Sequence, residues 1–166
     1  MRSERTWFAI ALLATAGAMT PLAAHAAGAS CWIFLPAHFP ALLAGLALGP
    51  VAGLVTAGAT ALADFLWGGR VHGLAFLPFA LEFVGYGLVA GWLSRRGPGY
   101  GARLLALLGA MLTGRLLYLA AAVALGKGTT AGHVLPGLFV LPWPGMFIQI
   151  VTLPPAAYLV ERFSER

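Results

Sequence analysis

The stretch "RLLALLGAMLTGRLLYLAAAVAL", residues 103 to 125, decides the fold class. After Arg103 it is small and aliphatic throughout, apart from Thr113, Tyr118 and one arginine, Arg115, set near its middle. A helix that crosses a bilayer takes about 20 apolar residues, and this run has that length. The chain around it is of the same kind: of its 166 residues 60% are hydrophobic and 9% charged, whereas soluble domains carry about 25% charged residues. The composition predicts an all-α integral membrane protein with one domain over 1–166, its backbone polar groups satisfied within helices because lipid offers them no partner.

Hydropathy, punctuated by Gly, Pro and charge, divides the chain into six segments at about 7–24, 36–49, 51–67, 74–94, 103–125 and 136–161. This predicts a bundle of about six transmembrane helices. The second and third segments are short and separated only by Gly49-Pro50, so that pair is open to tilt, a kink or partial re-entry. Cytoplasmic ends carry the excess of Lys and Arg. Arg2, Arg5, Arg95, Arg96, Arg103, Arg162 and Arg166 fall on one side of such a bundle, Arg70 and Lys127 on the other. Both termini are therefore expected in the cytoplasm, as an even number of spans requires. The net charge of +5 reports topology, because the basic residues sit at segment ends and form no patch with interleaved aromatics for a nucleic acid. Arg2 and Arg5, "WFAIALLATAGAM" and "PLAAHA" also have the shape of a signal peptide with an Ala-x-Ala site ending at Ala26. Such matches arise easily by chance in an Ala-rich chain, and the other five spans keep their orientation either way.

Small residues recur every four positions at Gly45, Gly49, Gly53, Ala57 and Ala61, and again at Ala14 and Ala18 and at Gly87 and Gly91. In lipid that spacing lets helix backbones approach closely, where packing drives association.

The strongly polar residues inside the spans are Asp64, Glu82, Arg115 and Gln149, each costly at that depth. Arg115 lies 12 residues from the inner end of its segment at 103, Glu82 12 from 94, Gln149 12 from 161, and Asp64 13 from 51. At 1.5 Å per residue all four fall about 18 to 20 Å from the cytoplasmic edge and can meet in one layer. Two readings of Arg115 stay open. It either pairs with Glu82 or Asp64 and holds the bundle together, or it forms with a carboxylate the floor of an outward-facing site for a polar solute.

His25, His38, His72 and His133 fall at or beyond the outer helix ends, with Cys31 on the same side. Imidazole and thiolate bind transition metals, but no pair has the spacing of a known metal site, so Cys31, His25 and His38 are weak metal candidates and interfacial histidines are expected. Cys31, as the single cysteine, excludes a disulfide framework. Trp32, Trp67 and Trp143 lie near the outer ends, where aromatic belts form; the other reading is stacking on a flat ligand. "GKGTT" at 126 to 130 departs from a phosphate loop, which needs Gly at Ala121 and Ser or Thr at Gly128. There is no H-E-x-x-H and no serine with a plausible base at membrane depth. The sequence reads as no enzyme and implies no cofactor.

Four stretches, in order, carry a resemblance: "LPAHFPALLAGLALGPVAGLVTAGATALADFL" at 35 to 66, "FALEFVGYGLVAGWL" at 79 to 93, "MLTGRLLYL" at 111 to 119 and "PGMFIQIVTLPPAAYLVER" at 144 to 162. The chain resembles the S components of energy-coupling factor (ECF) importers, the membrane subunits that bind vitamins. The resemblance implies a six-helix, multi-pass protein of the bacterial inner (cytoplasmic) membrane that captures a vitamin or related micronutrient from outside. Its partners would be a T component and two ATPase subunits, which fits the missing phosphate loop. By that analogy Ala14 and Ala18 dock the T component, Glu82, Arg115 and Gln149 bind substrate with Asp64 in the same layer, and His38, Trp32 and Trp143 wall the site. Many relatives carry a Ser/Pro-rich stretch where this chain has "TAGATALADFLWGG".

No pattern selects one solute. The outer Cys31 and histidines keep cobalamin or a transition metal open, and an anionic vitamin such as pantothenate suits Arg115. The alternatives are a self-sufficient proton-coupled secondary transporter or channel, and a purely structural membrane protein.

Overall fold

The computed structural model describes residues 2–27, 31–67, 74, 76–97, 99–126 and 140–165, with the side chains of Arg2, Ser3, Pro21, Ala24, His25, Cys31, Trp32, Trp67 and Glu165 outside that description. The described residues form helices joined by short turns, with no strand among them. In chain order the helices are α1 (Arg2–Ala26), α2 (Cys31–Phe34), α3 (His38–Leu48), α4 (Pro50–Trp67), α5 (Phe76–Ser94), α6 (Tyr100–Ala124) and α7 (Trp143–Glu165). Three are long and apolar enough to cross a membrane: α5, α6 and, over Trp143–Ser164, α7. The 19 residues of α5 span about 28 Å at 1.5 Å per residue, close to the hydrocarbon thickness of a bilayer. Helices α3 and α4 are apolar but shorter.

Solvent exposure has the pattern expected where lipid is the surrounding medium. On α6, Leu105, Leu108, Leu112, Leu116 and Val123 face outward, while Ala106, Ala110, Gly114, Arg115 and Ala122 are buried. Large aliphatic groups on the outside and small or polar ones inside invert the soluble arrangement, because lipid tails solvate leucine as well as a protein core does.

The expected four-residue ladders become the contacts that set the helix spacing. A Cβ at Gly53 would run into the Gly87 backbone, one at Gly87 into the Gly53 backbone, and one at Gly91 into Gly49 and Pro50. A Cβ at Gly45 would lie 2.6 Å from the Gly87 carbonyl oxygen. Helices α3 and α4 thus both lie backbone to backbone against α5, and Ala57 and Ala61 continue the buried stripe. The Gly49-Pro50 step is a break: Gly49 has φ +96° and ψ −179°, a conformation open essentially to glycine alone, and α3 ends there. The predicted 36–49 and 51–67 segments are these two helices. On α1, Gly17 is the residue buried against Pro40, Thr56 and Thr60, and Ala14 and Ala18 beside it are half-buried.

Candidate functional site

Helices α5 and α6 approach closely where both carry glycine. A Cβ at Gly85 would come 3.1 Å from Gly114 Cα, and one at Gly114 would run into the Tyr86 ring. The close approach brings Glu82 of α5 to Arg115 of α6. Arg115 Nη1 lies 2.6 Å from Glu82 Oε1, and the two residues are 5% and 1% exposed. Tyr86, one turn along α5, donates its hydroxyl to the same Oε1 at 2.7 Å.

The third helix in the cluster is α3. His38, its first residue, holds Nε2 3.8 Å from Glu82 Oε1, stacks its ring on Phe83 at 4.6 Å and meets Tyr86 edge-on at 5.0 Å. His38 stands at the start of a helix, as expected, but it is buried among Glu82, Phe83 and Tyr86 and is not interfacial. The reason is the shortness of α3, whose first turn starts inside the bundle.

Gln149 of α7, 1% exposed, acts on the turn that leads into α3. Its Nε2 donates to the Leu35 carbonyl at 3.3 Å, and the same oxygen accepts the His38 N–H at 3.1 Å. Leu35 has φ +48°, a left-handed conformation that costs a side-chain-bearing residue about 1–2 kcal/mol. Gln149 and the burial of Leu35 hold that turn, which sets the place of His38.

Part of the cluster's hydrogen-bonding capacity is uncommitted. Arg115 Nε and Nη2 and both His38 ring nitrogens are buried without a hydrogen-bond partner. More than nine in ten buried polar groups are paired in native proteins, and each left unpaired costs about 1–3 kcal/mol. Nε and Nη2 form the side edge of the guanidinium, two parallel N–H donors at the spacing of a carboxylate's oxygens. With Nη1 held by Glu82, the free edge has the geometry to pair with a carboxylate.

Of the sequence-predicted residues, the structure brings Glu82, Arg115 and His38 together and sets Gln149 one turn away. Asp64, half-buried on α4, has interactions of its own, and Glu82 lies within ion-pair distance of Arg115. Trp143 is 59% exposed and packs on Phe147 at 5.5 Å, on the outer face of α7. The side chains of Trp32, Cys31 and His25 lie outside the described residues, as do His72, His133, Arg70 and Lys127. No three His, Cys, Asp or Glu side chains gather as a metal site among the described residues. Sequence reasoning missed Tyr86 and Phe83. Tyr86 stands four residues from Glu82, the helical spacing that stacks side chains on one face.

Compared with protein-family models, curated proteins and solved structures, the chain matches none.

Proposed function

We propose that the chain is a substrate-capture subunit of an ECF-type importer that binds a small carboxylate-bearing solute, a vitamin or related micronutrient, from outside. In this reading six helices span a bacterial cytoplasmic membrane with both termini inside, and a T component and two ATPase subunits complete the importer. The observation that carries it is the uncommitted Nε/Nη2 edge of Arg115, buried in the same cluster as the His38 imidazole. A residue whose task was to hold the bundle together would have its donors matched by the protein, since orphaned donors weaken it. The ion pair with Glu82 fixes the guanidinium plane so that binding a carboxylate orders no further side-chain rotor. The Phe83 and Tyr86 rings around His38 add apolar wall.

The test is native mass spectrometry of the detergent-purified protein with identification of any small molecule it carries. A retained carboxylate, lost on acid release and rebound by the empty protein, is the expected result. Co-purification of ATPase subunits from the native membrane supports the importer assembly.

One observation favours a second reading, a proton-coupled transporter working alone. Glu82, Tyr86 and His38 form a buried row of protonatable groups, the type of arrangement that relays protons in membranes. Uptake by the purified chain in liposomes, driven by a pH gradient without ATP, would select it.

A further inference from the structure

A cavity of about 350 Å³ opens where α3, α5 and α7 end and α6 begins, lined by Gly49, Ser94, Arg95, Arg103 and Glu161. A second, of about 440 Å³, runs along the outer surface between α6 and α7, lined by Tyr100, Arg103, Pro154, Pro155, Tyr158 and Leu159. The two share Arg103. The first presents charged and hydroxyl groups; the second is apolar apart from that arginine and the hydroxyls of Tyr100 and Tyr158. Pro154 and Pro155 have no N–H, so the groove floor offers no backbone donor there.

We propose that the pair is one binding site for an anionic phospholipid, with its phosphodiester between Arg95 and Arg103 and one acyl chain along the α6–α7 groove. Charge and shape both favour this occupant. Arg103 pairs with Glu161, and Arg95 has no carboxylate partner among the described residues, so the cavity holds an unmatched positive charge. Arg103 is 6% exposed, and Tyr158 lies beneath its guanidinium at 5.4 Å, which keeps its charge at the junction of the two compartments. The Glu161 side chain is 36% exposed and can turn to water when a phosphate takes its place. Around this end Arg162 also lies on Tyr158, at 5.5 Å, and Arg96 lies on Trp92, at 5.0 Å. Aromatic and basic side chains gather in this way at the level of lipid headgroups. A free phosphate would leave the groove unfilled; an uncharged lipid would leave Arg95 unmatched.

The experiment presents the full-length protein in detergent with equal amounts of phosphatidylglycerol and phosphatidylcholine and counts retained lipids by native mass spectrometry. Preferential retention of phosphatidylglycerol is expected. Arg95→Gln, at an exposed position, should lower that retention about fivefold, the worth of one basic residue beside an anionic lipid. Leu159→Trp, which fills the groove from the outside, should lower it as well with no change in melting temperature. Equal retention of the two lipids overturns the proposal, as does retention unaffected by both variants. Displacement of the lipid by glycerol phosphate at matched concentration also overturns it, because the groove then contributes nothing. Burial of the groove by a co-purifying protein, with no lipid retained, overturns it in favour of a protein partner.

Discussion

Arg115 commits Nη1 to Glu82, at 2.6 Å, and keeps its Nε/Nη2 edge uncommitted in the same buried cluster. The two halves of the guanidinium thus have separable roles. The end held by Glu82 belongs to the fold, and on the proposed reading the free edge takes the carboxylate of a solute.

Lysine separates them. Arg115→Lys keeps a cation near Glu82 but has no planar second edge. The expected outcome is a folded protein whose affinity for the co-purified solute falls about 10- to 150-fold, the range for losing charge-assisted hydrogen bonds worth about 1.5–3 kcal/mol. Isothermal titration of the emptied protein measures it, and an unchanged dissociation constant would remove Arg115 from the binding site.

Removing one partner of the buried pair should instead show in stability. Arg115→Met or Glu82→Met alone leaves an uncompensated buried charge and should destabilise by about 3–5 kcal/mol, whereas the double Met variant should recover most of that loss. Thermal unfolding in detergent reads both. Solute binding by the double variant at the original affinity would assign the pair to structure alone.

Much of this arrangement was legible in the sequence, because depth along a helix is a matter of counting. The count from the inner ends placed Glu82 and Arg115 in one layer, and the structure pairs them. The same count applied to α3 puts His38 ten residues from Leu48, about 15 Å, within one helical turn of that layer. Reading His38 as an interfacial histidine hid this, although the resemblance placed it on the wall of the site. The four-residue glycine ladders gave the α3, α4 and α5 contacts, because a missing Cβ is a property of sequence. The direction in which a side chain points on a given helix is not. Trp143 therefore sits on the outer face of α7, and Gln149 holds the Leu35 turn, whose left-handed backbone has no signal in a leucine.

The glycine contacts make a prediction independent of ligand. Gly53 and Gly87 each occupy the space a Cβ on the other helix would need, and neither obstruction is a flexible side chain that can give way. Gly87→Val should separate α5 from α4, and since overpacking in a tight core costs about 1–3 kcal/mol or more, expression of folded protein should drop sharply. Gly58→Ala, where a Cβ meets nothing within 4 Å, is the control and should melt as the parent does. Equal melting of the two variants would mean that the helices do not pack backbone to backbone.

Orientation decides from which side a solute enters. Arg115 stands 15 residues from Tyr100 and 9 from Ala124, the two ends of α6, or about 22 and 14 Å along the axis. The shorter path runs to the Ala124 end, and the excess of arginine at the other end, at Arg95, Arg96 and Arg103, argues that Ala124 faces outside. In a Cys31→Ser background, Arg96→Cys should react with a membrane-impermeant maleimide only after the cells are opened. Labelling of intact cells would reverse the bundle, place the short path to Arg115 on the cytoplasmic side, and overturn the proposed capture of a solute from outside.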